Sequence, residues 1–483
     1  MATTSALEAR ITEQLDPIFA DFKATSALAE LRAEVTSNLV AAAIDKIAAG
    51  SAVDVAVTEA IAEFGDIKEL ATELAAEDET TSEPDAPVTT TPHAKKHTDV
   101  TTNDDAGNIE VDGKVVGVDI TPDEAVAATG HKFSVKTNDD VKPQNEMRQA
   151  LAGVREVQVN YAHDDIRIVP IDGTELQVSE TFHNYKPEYA GHITRDGDLV
   201  RVLNGHRPHS TLRINVAGFK LGFWSRITIG VPASFKGKLL VKAKDGDVSA
   251  ANLRELTGVN ISAGDGDVQL VYLAVQQLAV TTDDGDLTLR GSQADETMLS
   301  SHDGDLMLEQ SAVGTLAART DDGNINANNL NVTGNAQLVT RDGDAHVNTV
   351  RAANLAVTSN DGALQVSNLA AEAIALKTGD GDVHAGDLSG TVTLQTGDGD
   401  VHAHWQKVTG DITVSTGDGD VDIQLPQYAS YDFDLHAGDG HIHQPEDNVT
   451  FTKNVKHRRR GTKGDQPTFT LIAGTGDGDL RIQ

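Results

Sequence analysis

An Asp-Gly-Asp core returns along the second half of the chain at a nearly constant interval, and such a period restricts the fold more than any other feature of the sequence. Its glycines are Gly246, Gly266, Gly285, Gly304, Gly323, Gly343, Gly362, Gly381, Gly399, Gly419 and Gly440, spaced by 20, 19, 19, 19, 20, 19, 19, 18, 20 and 21 residues. A period near 19 held over eleven units implies a solenoid, in which each coil buries its apolar side only against its neighbours. Gly197 and Gly478 bracket the run, and the 38 residues from Gly440 to Gly478 fit two periods with one degenerate coil between.

Side chains alternate between the two faces of a strand, so the columns of this repeat assign faces. Two residues after the glycine stand Val248, Val268, Leu287, Leu306, Ile325, Ala345, Leu364, Val383, Val401, Val421 and Ile442, an inward column. Five before it stand Val241, Ile261, Val280, Leu299, Ala318, Leu338, Val357, Leu376, Leu394, Val414 and Leu435, a second. One position past the first column the residues are polar apart from Met307, and so point outward. Small residues such as Thr282, Thr340, Thr378, Thr396 and Thr416 lie three before the glycine, where the chain nears a corner. Each coil is therefore expected to hold two main strands meeting at an Asp-Gly-Asp turn, with the glycine taking a positive φ. Eleven coils stacked about 4.8 Å apart would form a rod about 50 Å long. The expected fold is mainly β: a single-chain parallel β-helix with a small N-terminal all-α domain.

That helical domain, residues 1–76, shows apolar positions three and four apart at Leu7, Ile11, Leu15, Ile18 and Phe19, then at Leu28, Leu31, Val35, Leu39 and Ile44. Gly50 with Ser51 and Asp54, and Gly65 with Asp66, give stop-and-cap signals. Residues 77–100 are Thr, Pro and charge without periodicity, the composition of a disordered linker. Residues 101–150 give no clear signal, 151–240 contain short alternating runs that lead into the array, and 241–483 carry the repeat.

Composition narrows the partners. With 74 acidic and 39 basic side chains the net charge is -35, which opposes nucleic acid and anionic membranes and favours cations and basic proteins. There is no cysteine, hence no disulfide and no thiol chemistry. Aromatic residues make up 4%, in keeping with the thin aliphatic core of a solenoid. No signal-like or membrane-spanning apolar stretch is seen, so a cytoplasmic location is the expectation, with surface association left open.

Two resemblances follow from particular motifs. AVDVAVTEAIAEFGDIKELATEL is similar to the HAAS helical signalling domain, and that resemblance implies a link to PadR-like transcription regulators and, loosely, envelope-stress signalling. SRITIGVPASFKGKLLVKAKDGDVSAANL and the later TGDGDV units resemble the bacterial adhesin-type repeat family of unknown function, DUF4097. This second resemblance spans about residues 150–483 and implies a parallel β-helix associated with the cell envelope, with no assigned reaction.

Candidate chemistry is confined to three places. The carboxylates flanking the corner glycines, among them Asp380, Asp382, Asp398, Asp400, Asp418 and Asp420, form a ladder that calcium could bridge. Turn formation alone also accounts for them, since aspartate bonds its own backbone amide two residues on. His384, His402 and His443, with Asp422 in the same outward column and His404 beside it, could share zinc or act as a pH-sensitive patch. The basic run Lys456–Lys463, KHRRRGTK, is expected on a protruding loop. No nucleophile elbow, phosphate loop or HExxH helix occurs, so no catalytic residue and no required cofactor are assigned. The expectation is a monomeric, non-enzymatic scaffold that binds protein or envelope components; a carbohydrate-active β-helix enzyme and a calcium-stabilised structural repeat are the alternatives.

Overall fold

The computed structural model describes residues 4–23, 25–48, 52–64, 67–68, 71–72, 108–111, 114–117, 142–182, 185–207, 214–216, 219–221 and 225–483. Contacts divide the chain into residues 75–142 and the remainder. In the smaller unit, strands Asn108–Val111 and Lys114–Gly117 pair antiparallel. Gly50, Ser51, Gly65, Asp66 and the linker expected over 77–100 lie outside the described residues.

Helices Thr4–Phe19, Ser26–Ala48 and Val53–Phe64 form the α part. Leu7, Ile11 and Leu15, then Leu28, Leu31, Val35 and Leu39, are buried as their spacing requires. The second stripe continues four residues on, to Ala43, and this turns Ile44 outward, 43% exposed, against expectation. Among the described residues no helix is long and apolar enough to cross a membrane.

The β part is a parallel solenoid whose buried residues form one continuous core from Leu151 to Ile482. Every member of both predicted inward columns is buried, because period-two strands stacked in register have no other way to remove aliphatic side chains from water. Residues after each corner glycine stack as one sheet, for example Val248–Ala251 on Val268–Val271 on Leu287–Arg290. We call this the front sheet. Residues before each glycine stack as a back sheet, for example Lys238–Lys242 on the second half of Arg254–Ser262.

A third, short side joins the two. Six residues past the corner glycine, Asn252, Tyr272, Gly291, Gln310, Asn329, Thr349, Asn368 and Asp387 all take a positive φ, between 49° and 60°. The next residue turns inward, as Leu253, Leu273, Leu330, Val350, Leu369 and Leu388 do. Two main strands per coil is thus an incomplete description of the turn.

The corner glycines need glycine for another reason than the one expected. Their φ is not positive; they are close-packed coil on coil. A Cβ on Gly362 would stand 1.9 Å from the carbonyl oxygen of Gly343, and one on Gly381 would stand 2.1 Å from that of Gly362. The buried hydroxyl three residues earlier closes the corner. Thr340 Oγ1 donates to the Gly323 carbonyl of the previous coil at 2.8 Å and accepts the Gly343 amide at 3.2 Å. Ser359, Thr396 and Thr416 repeat both bonds.

Both ends depart from the repeat. At the N-terminal end, Asn145–Ala150, Glu175–Phe182 and Ser225–Pro232 cover the front sheet, the first two antiparallel to their neighbours. His192–Asp196 and Leu199–Leu203 form an antiparallel hairpin on the back sheet, and Gly197 is its turn residue, not a corner of the array. Asp164 occupies the first corner in place of a glycine and is 1% exposed. Arg207 bonds Asp164 and Glu180, the latter at 2.6 Å; Ser225 also bonds Asp164, and Tyr161 bonds Glu180 at 2.7 Å. Burial holds the Asp164 carboxyl above its ordinary range despite Arg207, and burial beside Glu180 holds the Tyr161 phenol well above its own.

At the C-terminal end the coils leave chain order. Leu480–Ile482 inserts between Val421–Gln424 and Ile442–His443, so Gly478 packs on Gly419 and Gly440 packs on Gly478. The 38-residue interval holds no degenerate coil. It holds the strands Val449–Val455 and Arg458–Lys463, which extend the back sheet antiparallel beyond Tyr431–Ala437. The basic run is therefore a hairpin turn at Lys456 and His457 followed by a strand from Arg458, and not a protruding loop; Arg458 fixes it on Asp434 at 3.0 and 2.8 Å. Phe451 of this hairpin meets Phe433 edge to face at 5.9 Å, and Tyr431 stacks on Phe469 at 5.2 Å. Aromatic bulk shields this end of an otherwise aliphatic core.

Candidate functional site

The acidic corner runs along one edge of the front sheet. The aspartate after each glycine accepts an amide from the next coil: Asp247 from Asp267 at 3.1 Å, Asp267 from Asp286 at 2.9 Å, Asp382 from Asp400 at 2.8 Å, Asp400 from Asp420 at 2.7 Å and Asp420 from Asp479 at 2.8 Å. The bond expected within one turn is thus made between turns, because the corner amides point along the stacking direction. Asn324 substitutes fully, accepting the Asp344 amide at 2.9 Å. The Ala363 amide donates to Asp344, but alanine has no side-chain oxygen to accept the next coil's amide.

Of the residues named for calcium, Asp382, Asp400 and Asp420 each place one oxygen on an amide, while Asp380, Asp398 and Asp418 are exposed on the outer side of the corner. Among the described residues no three His, Asp or Glu side chains gather in a group that could hold a metal ion. An ion at either proposed set would have to complete its shell from water or backbone oxygen.

The outward histidines sit on the front sheet. His384 and His402 are register partners with ring centroids 5.1 Å apart, and His402 is followed by Asp422 on the next coil. His443 does not continue that column directly. Arg481 stands between it and Asp422, a consequence of the inserted terminal strand that linear spacing could not disclose. His443 lies instead 4.0 Å from Asp479, whose carboxyl is held below its ordinary value, first by the His441 amide.

Around His384 and His402 the front sheet carries a groove of about 1020 Å³ that crosses seven coils. Two outward columns line it. One runs Met307, Asn326, His346, Gln365, His384, His402 and Asp422; the other runs Glu309, Asn328, Asn348, Ser367, Gly386, His404 and Gln424. Only the first column was recognised in the sequence. Seven strands about 4.8 Å apart give the groove a length of about 29 Å.

The groove is uncharged between its ends. Glu309 and Asp422 are its only formally charged lining residues and occupy opposite extremes. The second column is tied in place: the Asn348 side-chain oxygen accepts from Ser367 at 3.0 Å and from Asn368 at 3.1 Å. At Gly386 the His404 ring lies where a Cβ would stand, 2.5 Å from that position.

A parallel β-solenoid with a long polar groove along one sheet is the class of molecule that these features define. Within that class the chain belongs to the Toastrack DUF4097 family, whose model matches residues 133–347 and 332–483. Two solved structures are similar. One is described as a "putative cell adhesion protein" from Clostridium sporogenes, at 8% identity, 71% of this chain and 99% of that chain covered, and a TM-score of 0.21. The other is described as a "putative adhesin" from Bacteroides fragilis, at 13% identity, 70% and 96% covered, and a TM-score of 0.17. No curated protein matches the chain.

Proposed function

We propose that the protein is a non-enzymatic binding scaffold that holds an extended partner in the groove of its front sheet, in a protein or envelope component. The observation that carries this reading is the uncharged stripe itself: a molecule of net charge -35 keeps the lining from Asn326 to His404 free of formal charge. A polysaccharide-cleaving carboxyl pair within the groove lining is disfavoured by distance. Glycoside hydrolysis places two carboxyl groups roughly 5–9.5 Å apart. Glu309 and Asp422, at the two extremes of the groove, are separated by six coil steps or about 29 Å. The helical part, by its resemblance to HAAS domains, supplies a docking module for a PadR-like regulator.

Co-sedimentation of the full chain with purified bacterial envelopes tests the reading. Asn348→Asp with Gln365→Glu, which places two charges in the groove, should cut retention at least tenfold. Gln337→Glu, on the exposed face of the back sheet, should leave it unchanged. Equal retention of all three proteins, or release of new reducing ends from polysaccharide, would refute a non-enzymatic role for the groove.

A further inference from the structure

We infer that the groove's occupant is a neutral, unbranched polysaccharide lying along the solenoid axis. This inference rests on the reading of the front sheet as a binding surface and names the chemistry of what it binds.

The argument begins with the side chains that retain hydrogen-bonding capacity. Among the described residues, Asn326, His346, Gln365, His384 and His402 make no side-chain hydrogen bond, and all but the half-buried Asn326 are exposed. In the middle of the second column Asn328, Asn348 and Ser367 are already bonded to one another, with Asn368 also donating to Asn348, and they set that part of the groove wall. A row of groups with open capacity thus stands beside a row that is pre-organised, so binding would not require the wall to be ordered.

The chemistry of the open row selects among polymers. Amides both donate and accept, as does a neutral imidazole, and so does each hydroxyl of a sugar. One such group per coil, repeated about every 4.8 Å, suits a ligand that is itself a chain of like units. The His384 and His402 rings, 5.1 Å apart and tilted by 40°, add flat surfaces along the same line. At Gly386 the absence of a Cβ lets the His404 ring lie against the strand, adding a further flat surface.

Charge separates this occupant from its rivals. An anionic polymer would run beside the aspartate corner, two residues from the groove edge, on a molecule of net charge -35. A cationic peptide would find its counter-charges at that corner and not in the groove, whose lining is charged only at Glu309 and Asp422. A neutral chain pays neither penalty. About 29 Å of groove accommodates several sugar units, so affinity should depend on oligomer length.

Calorimetric titration of the full chain with cellohexaose, maltohexaose and xylohexaose, against a galacturonate hexamer and hexalysine, tests the inference. At least one neutral hexamer should bind, its trimer at least tenfold more weakly, and the double variant Gln365→Ala/His384→Ala should lose at least tenfold while its circular dichroism stays that of the parent. Binding only of hexalysine or of the galacturonate hexamer, or of none of the probes, would overturn the neutral-glycan assignment. If envelope retention still falls in the charged groove variant, the scaffold reading survives that failure; if retention is also unchanged, both fail.

Discussion

Replacing Gly362 with alanine is expected to lower the free energy of unfolding by about 3 kcal/mol, the upper part of the range for overpacking a filled interior. The added Cβ would lie 1.9 Å from the Gly343 oxygen, 2.4 Å from its carbonyl carbon and 2.9 Å from the Asp344 amide nitrogen. All three are backbone atoms. The Gly343 carbonyl is further fixed by Ser359 Oγ at 3.0 Å, and on the other side Gly381 packs on Gly362 with the same closeness. Neither coil can retreat without opening a second interface, and in a one-dimensional array each interface is a large share of local stability. Gly258→Ala is the control, since its Cβ would meet nothing nearer than 3.7 Å and its effect should stay within about 1 kcal/mol. Urea unfolding followed by circular dichroism compares the two. Equal effects would show that the corner is not close-packed.

Arg207→Met is expected to cost about 3–5 kcal/mol, because removing one member of a buried ionic cluster leaves the others uncompensated. Asp164 and Glu180 are 1% and 0% exposed, and the guanidinium also lies over the Tyr161 and Phe182 rings at 5.0 and 4.9 Å. Methionine keeps much of that packing and removes the charge. The pH dependence separates charge from packing. Burial already raises Asp164 in the parent, and without the lowering effect of Arg207 its carboxyl should rise further above its unfolded value. The folded variant then binds more protons than its unfolded chain, so its stability falls as pH rises through that window. The deficit against the parent should therefore be largest near neutrality and shrink towards pH 4. A deficit independent of pH would assign the loss to packing.

The inward columns were legible because period-two alternation survives in every coil, from Val248 to Ile442, and only one face of such a strand can be buried. The reason for glycine at the corner was not. A positive φ and a close approach demand the same residue, and only the stacking of Gly343 on Gly323 tells them apart. The true positive-φ column was present in the sequence as Asn252, Gly291, Asn329, Asn368 and Asp387, residues that tolerate that conformation, but Tyr272, Gln310 and Thr349 interrupt it. The terminal order was hidden for a different reason. Inserting Leu480–Ile482 between earlier coils is a long-range choice, and the basic charge of Arg458–Arg460 masked the alternation that makes the last hairpin. The groove was half visible: His384 and His402 stood out as one outward column with Asp422, whereas its neutrality emerges only when two adjacent columns are followed across several coils.

The account depends most on the front-sheet coils stacking in the register that assembles this face, and the absence of native cysteine makes the register directly measurable. In the double variant His384→Cys/His402→Cys, mild oxidation should form an intramolecular disulfide in nearly all molecules. These positions are register partners on adjacent strands about 4.8 Å apart, within the range a disulfide spans. His384→Cys/Asp422→Cys, two coils apart at about 10 Å, should not cross-link. Cross-linking of the second pair in preference to the first would contradict the stacking on which the groove is built.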